Sequence, residues 1–237
     1  MDNKNAHTAE GMLYGAYVGK LKYLMDQGAD MSLEALDNFY NSTTNLVFMT
    51  RIIESINLKE YVCPNDIRSR IDGLKVDGSV QYSISPLAFA DIFGLHGHEL
   101  DEVVKQIVGI ANRDEKIQLL CVELIHLLHD ILWFKIDRDG ILEVVPEFDV
   151  LESEVVCSEA EKDVFFAALW SFIFSEDYVS CYEKAANLEN TNSDITGLAC
   201  TFAGLYYGID FIPTDWSVQV FNIFGTKEDG TSILPFL

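Results

Sequence analysis

The sequence predicts an all-α fold, and three observations carry that expectation. Apolar residues recur at three- and four-residue intervals along most of the chain. Strand signals are few and late. Small residues at Gly197, Cys200, Gly204 and Gly208 mark one uncharged segment as a helix that its neighbours approach closely. At 237 residues, 49% hydrophobic and 12% aromatic, the chain can bury a substantial core and is not disordered in general. It shows no repeat, low-complexity tract or linker, so residues 1–237 are expected to form a single domain.

Helical periodicity covers Met12–Met25, Leu33–Tyr40, Leu46–Ile56, Leu87–Phe93, Leu100–Ile110, Ile117–Trp133, Ala160–Phe174 and Tyr178–Leu188. Ser158 stands before Glu159-Ala160-Glu161, and Asn112 before Arg113-Asp114-Glu115. Each places an acceptor or acid where the free amides of a first helical turn point. Ile195–Ile209 is an uncharged run of 15 residues between Asp194 and Asp210, short of the ~20 needed to cross a bilayer, so a buried central helix is expected and no membrane association. Trp133–Asp137 and Ile141–Val145, joined by Asp137-Arg-Asp-Gly140, suit a small β-hairpin. Val218–Ile223 is a third strand signal.

The 38 acidic and 16 basic residues give a formal net charge of −22. Such a surface repels phosphate backbones, which excludes nucleic acid as an expected partner and favours a basic protein. Five cysteines, an odd count with no CxxC pair, read as reduced thiols in a cytoplasmic compartment. The amino terminus has no basic start followed by an apolar run, so no signal peptide is expected.

One longer pattern runs through these elements. Asn190-Thr-Asn-Ser-Asp-Ile-Thr-Gly, continuing to Gly204-Leu-Tyr-Tyr-Gly208 and Ile212-Pro-Thr-Asp-Trp216, resembles the carboxy-terminal signature of the ADP-ribosylglycohydrolase family. Gly11-Met-Leu-Tyr-Gly15-Ala-Tyr-Val-Gly19 resembles its opening glycine-rich helix, with Lys20 at an aspartate position. Asn41-Ser-Thr-Thr44 resembles its Thr-Asp-Asp-Thr, and Ser83-Ile-Ser-Pro86-Leu87 its Arg-x-x-Pro-Leu. Asn112 falls at a histidine position. The resemblance covers most of residues 11–216 and implies that family's compact helical domain, here with a small hairpin.

The family's hydrolysis of ADP-ribose linkages usually employs two Mg2+ or Mn2+ held by two aspartate motifs. Hard divalent ions ask for several negative oxygen ligands. The corresponding positions here are Ser42 and Thr43 in one motif, Thr191 and Ser193 in the other. Asp194 is an acid displaced by one residue. The resemblance therefore implies a pseudoenzyme without a metal cofactor. Its expected mode is binding an ADP-ribosylated target, an ADP-ribose-like ligand or an ADP-ribosyltransferase, with inhibition or immunity as one form of that role. Ser42, Thr43, Thr44, Ser83, Asn112, Thr191, Ser193 and Asp194 are the candidate cleft residues. The competing reading is a hydrolase with a non-standard or metal-free site, using Asp194 or Glu189 as general base. A structural subunit is a third.

Other constellations are read as structure. His126 and His129 share a helix face without an evident third metal ligand, and His96-Gly-His98 reads as a turn. Asp137, Asp139 and Glu143 lack the spacing of a calcium loop. Tyr206, Tyr207, Phe211 and Trp216 are expected to pack the last helix.

Overall fold

The computed structural model describes residues 3–30, 32, 44–74, 80–133, 136–144 and 154–218. In chain order the α-helices are α1 (Asn3–Asp26), α2 (Thr44–Lys59), α3 (Pro64–Ile71), α4 (Gly97–Ala111), α5 (Glu115–Trp133), α6 (Arg138–Val144), α7 (Glu161–Ile173), α8 (Tyr178–Asn187) and α9 (Ser193–Tyr207). Two 3-10 helices, η1 (Tyr82–Phe93) and η2 (Ile209–Phe211), lie among them. The all-α expectation holds. No described helix is long and apolar enough to cross a membrane.

The organising contact is an antiparallel pair, α1 against α9. Glycine costs a helix roughly 1 kcal/mol relative to alanine, so three in α1 at four-residue spacing need a reason. The reason is backbone contact. A Cβ built on Gly11 would stand 2.2 Å from the Gly204 carbonyl oxygen, and one on Gly15 2.1 Å from that of Cys200. One on Gly19 would meet the Thr196 oxygen at 2.4 Å. The close approach expected from the small residues of α9 is thus met by a matching row on α1. Every residue of α9 from Ile195 to Leu205 is buried. The neighbours α7 and α8 also pack on it, while η1 packs on α2 and α5, and α4 packs on α5.

Local chemistry explains several boundaries. Asp177 and Ser180 form a reciprocal capping box at the head of α8, the Asp177 side chain accepting the Ser180 amide at 2.7 Å. Pro64 opens α3, where a missing N–H costs nothing. Leu87–Phe93, expected as a helix, belongs to η1. Pro86 lies inside it and cannot donate to the ladder, and Gly94 ends it in the left-handed conformation at φ 75°.

The expected hairpin is corrected. Residues 138–144 are helical, and Phe134, Lys135 and Val145 lie outside the described residues. Asp137 does not turn the chain between strands; its Oδ1 accepts the Gly140 amide at 2.9 Å, and its carbonyl accepts the Ile141 amide at 3.1 Å. Those are the bonds of a helix start. Val218 likewise ends a helical turn at 214–218, with the rest of that strand signal outside the described residues, as is Leu33–Tyr40.

The two predicted caps also shift. The amide of Lys116 in α5 goes to the Asp114 side chain at 2.8 Å, while Asn112 accepts the Asp114 amide two residues earlier. Ala160 is the N-cap residue of α7, and Ser158 accepts the Ala160 amide and donates to Asp163 at 2.6 Å.

Candidate functional site

The heads of α7 and α9 meet the end of α1, and here most of the candidate residues that the structure describes are found. Asn192 makes the position. With extended backbone it stops the incoming loop, and its Oδ1 accepts the amides of Asp194 at 2.9 Å and Ile195 at 3.0 Å. Its amide nitrogen donates to the Ser158 carbonyl at 3.1 Å, tying α9 to the segment before α7.

Asp194 then sits in the first turn of α9, where the helix dipole favours an anion. Lys20 of α1 donates to its Oδ1 at 2.8 Å, and the two side chains are only 9% and 14% exposed. One turn later on α1, Tyr23 donates to the Thr191 carbonyl at 3.1 Å. The Thr191 hydroxyl donates to the Ala185 carbonyl at 2.7 Å, which fixes the loop between α8 and α9. Ser193 lends its carbonyl to the Thr196 hydroxyl at 3.2 Å.

One turn before Lys20, the Tyr17 hydroxyl pairs with Thr50 Oγ1 at 2.9 Å. The first turns of α2 therefore pack on the same end of α1. Thr44 is the first residue of α2, while Ser42 and Thr43 lie outside the described residues.

The α7 head extends the network. Asn112 donates to Glu161 Oε1 at 2.9 Å, and the fully buried Gln81 donates to the Glu161 carbonyl at 2.6 Å. Asn112 is thereby connected to Asn192 through the short run from Ser158 to Glu161. Ser83 lies two residues from Gln81 but is fully buried, and its hydroxyl has no hydrogen-bond partner among the described residues. It does not face an open cleft. Glu189 is exposed on the loop before α9.

A second cluster gathers the histidines. His126 Nε2 pairs with Asp101 Oδ1 at 2.7 Å, and His129 lies between Asp130 at 3.4 Å and Asp91 at 3.8 Å. His96 contacts the same Asp91 oxygen. Asp91, His96, His126 and His129 line a small surface cavity with Leu95, Gly97 and Leu100. Among the described residues no three His, Cys, Asp or Glu side chains are grouped so as to hold a metal ion.

Among the described residues the donor set around Asp194 is one carboxylate, with Ser42 and Thr43 outside them. Among the described residues the Lys20 ammonium lies 2.8 Å from its carboxylate, and both oxygens of Thr191 are committed to hydrogen bonds. A hard dication needs several negative oxygens and would be repelled by Lys20. No protein-family model matches this chain, and no curated protein matches it significantly.

In the sequence Lys20 stands out only as a cation at an aspartate position, and nothing there pairs it with Asp194. The available signal was a lone cation in an otherwise small and apolar helix face. Tyr23 and Glu161 carry no local mark, whereas Asn192 carries the cap signal of an Asn just ahead of an apolar helical run.

Proposed function

We propose that the chain is a degenerate ADP-ribosylglycohydrolase-like protein that acts by binding and not by two-metal hydrolysis. The observation that carries this reading is the Lys20–Asp194 ion pair at the head of α9. Lys20 stands at a position where the resemblance expects an aspartate, and Asp194 falls at the threonine of the motif that the resemblance expects to hold metal, one residue from an aspartate position. A carboxylate held by an ammonium at 2.8 Å is a poor free base for attack at an anomeric carbon.

The target class is an ADP-ribosylated protein or the transferase that modifies it, met through the end of the fold where α1, α7 and α9 converge. The formal net charge of −22 favours a basic protein as that partner and disfavours nucleic acid. All five cysteines are free, which suits a reducing compartment such as the cytoplasm.

Calorimetry with ADP-ribose and with a mono-ADP-ribosylated protein, run beside an assay for released ADP-ribose, tests the proposal. Binding without release is expected. Release that Asp194→Ala abolishes would establish a hydrolase instead, and absence of binding to either probe would overturn the recognition role.

A further inference from the structure

The fold buries one of its scarce cations at this same point. Lys20 is 7% exposed in a chain with 16 basic against 38 acidic residues. Its backbone is not adjustable there. The neighbouring Gly19 lies so close to α9 that a Cβ would stand 2.4 Å from the Thr196 oxygen and 2.6 Å from Cys200 Cβ. The ammonium is therefore delivered to the head of α9 by the most closely packed pair among the described helices. Asp194, 14% exposed in its side chain, needs a counter-charge, because a desolvated carboxylate is costly without one.

We infer that Lys20 is a built-in counter-cation for Asp194, one that makes this end of the molecule independent of divalent ions. A metal at Asp194 would have to lie within a few ångströms of the ammonium, which already supplies positive charge from a covalently anchored stem. A tethered cation is not subject to dilution, so the loop between α8 and α9 keeps its geometry at any ion concentration. The inference rests on and deepens the proposed binding role, since a surface closed to metal can recognise without cleaving. It is decided, however, by the behaviour of these two residues, whatever ligand the protein takes.

Thermal unfolding of the full chain in EDTA and in millimolar Mn2+ provides the test. The wild-type Tm is expected to be unchanged between the two. Lys20→Asp places a second carboxylate beside Asp194; its Tm in EDTA should fall by about 10 °C. Mn2+ should restore much of that loss, with binding visible by calorimetry. The double variant Lys20→Met/Asp194→Leu removes both charges and should recover stability with no response to Mn2+.

Tight Mn2+ binding by the wild type would overturn the inference, as would a Lys20→Asp protein no more responsive than the wild type. If Lys20→Asp does not fold in EDTA, refolding in Mn2+ decides. Recovery supports the inference; failure while the double variant folds overturns it. ADP-ribose binding by the wild type is measured separately, so the functional reading and this inference can fail independently.

Discussion

Gly204 and Gly11 touch backbone to backbone: a Cβ built on Gly204 would stand 1.9 Å from the Gly11 carbonyl oxygen. The obstacle is main chain on both sides, so no rotamer change relieves it. Gly11→Ala, Gly15→Ala and Gly204→Ala should each destabilise by about 2–4 kcal/mol in urea unfolding. Gly109 in α4 is the internal control. A Cβ there meets only the Gln118 side-chain nitrogen at 3.4 Å, so Gly109→Ala should be neutral or stabilising by about 0.5–1 kcal/mol.

Trp216 closes the far side of the last helices. Its ring meets Tyr182 edge-on at 5.0 Å, and Lys22 lies 5.2 Å above it. Tyr182 in turn donates to Asp26 Oδ2 at 2.6 Å. Tyr182→Phe should cost about 1–2 kcal/mol in urea unfolding, since the lost bond goes to a charged group. A double-mutant cycle between Lys22→Met and Trp216→Leu should give a coupling of about 0.5–1 kcal/mol, the range of an exposed cation–π pair.

Acid should weaken the fold in a defined window. The Ser180 backbone amide and then its hydroxyl hold the Asp177 carboxyl below the ordinary value. At Asp26, burial pushes upward, but bonds from Lys22 and Tyr182 outweigh it and the pKa falls. A carboxyl depressed in the folded state contributes fully above its unfolded value and loses that contribution as pH falls through the folded one. Urea midpoints should therefore hold steady from neutral pH to about 5 and drop below about 4. Asp177→Asn should lower stability at neutral pH and flatten the acid limb.

The cysteines should label in an order set by burial. Burial raises Cys121 to about 12, with the Glu161 charge adding to it, and raises Cys200 to about 12. Burial, and then Asp163, raises Cys157 to about 11. Thiols in this range carry almost no thiolate near pH 8. Brief treatment of the native protein with a thiol reagent, read by mass spectrometry, should modify the half-exposed Cys63 first. Cys121, Cys181 and Cys200 should react only on unfolding.

The helices are legible because their apolar spacing is strong and long, and the row Gly197, Cys200, Gly204, Gly208 marks close packing without naming its partner, the row Gly11, Gly15, Gly19 on α1. Shorter signals were ambiguous. Asp137-Arg-Asp-Gly140 serves a hairpin turn or a helix start equally well, and only packing of the buried Ile141 selects the helix. The site was partly legible. Thr191, Ser193 and Asp194 lie at the head of α9 as their sequence position suggests. Asn112 finds Glu161 across 49 residues and Asp194 finds Lys20 across 174, distances at which local pattern carries no information about partners.

The pairing of α1 with α9 also sets an order in time. Its contacts span 174 residues from Lys20 to Asp194 and 168 from Tyr23 to Thr191. At a synthesis rate of roughly 5–20 residues per second, α1 leaves the ribosome on the order of ten or more seconds before the helix that covers it. During that interval its glycine row and the side chains of Met12, Leu13 and Tyr17 have no native partner in α9. The tightest seam among the described helices is thus among the last of them to close, and a newly made chain is exposed to aggregation along the same face that later makes it rigid.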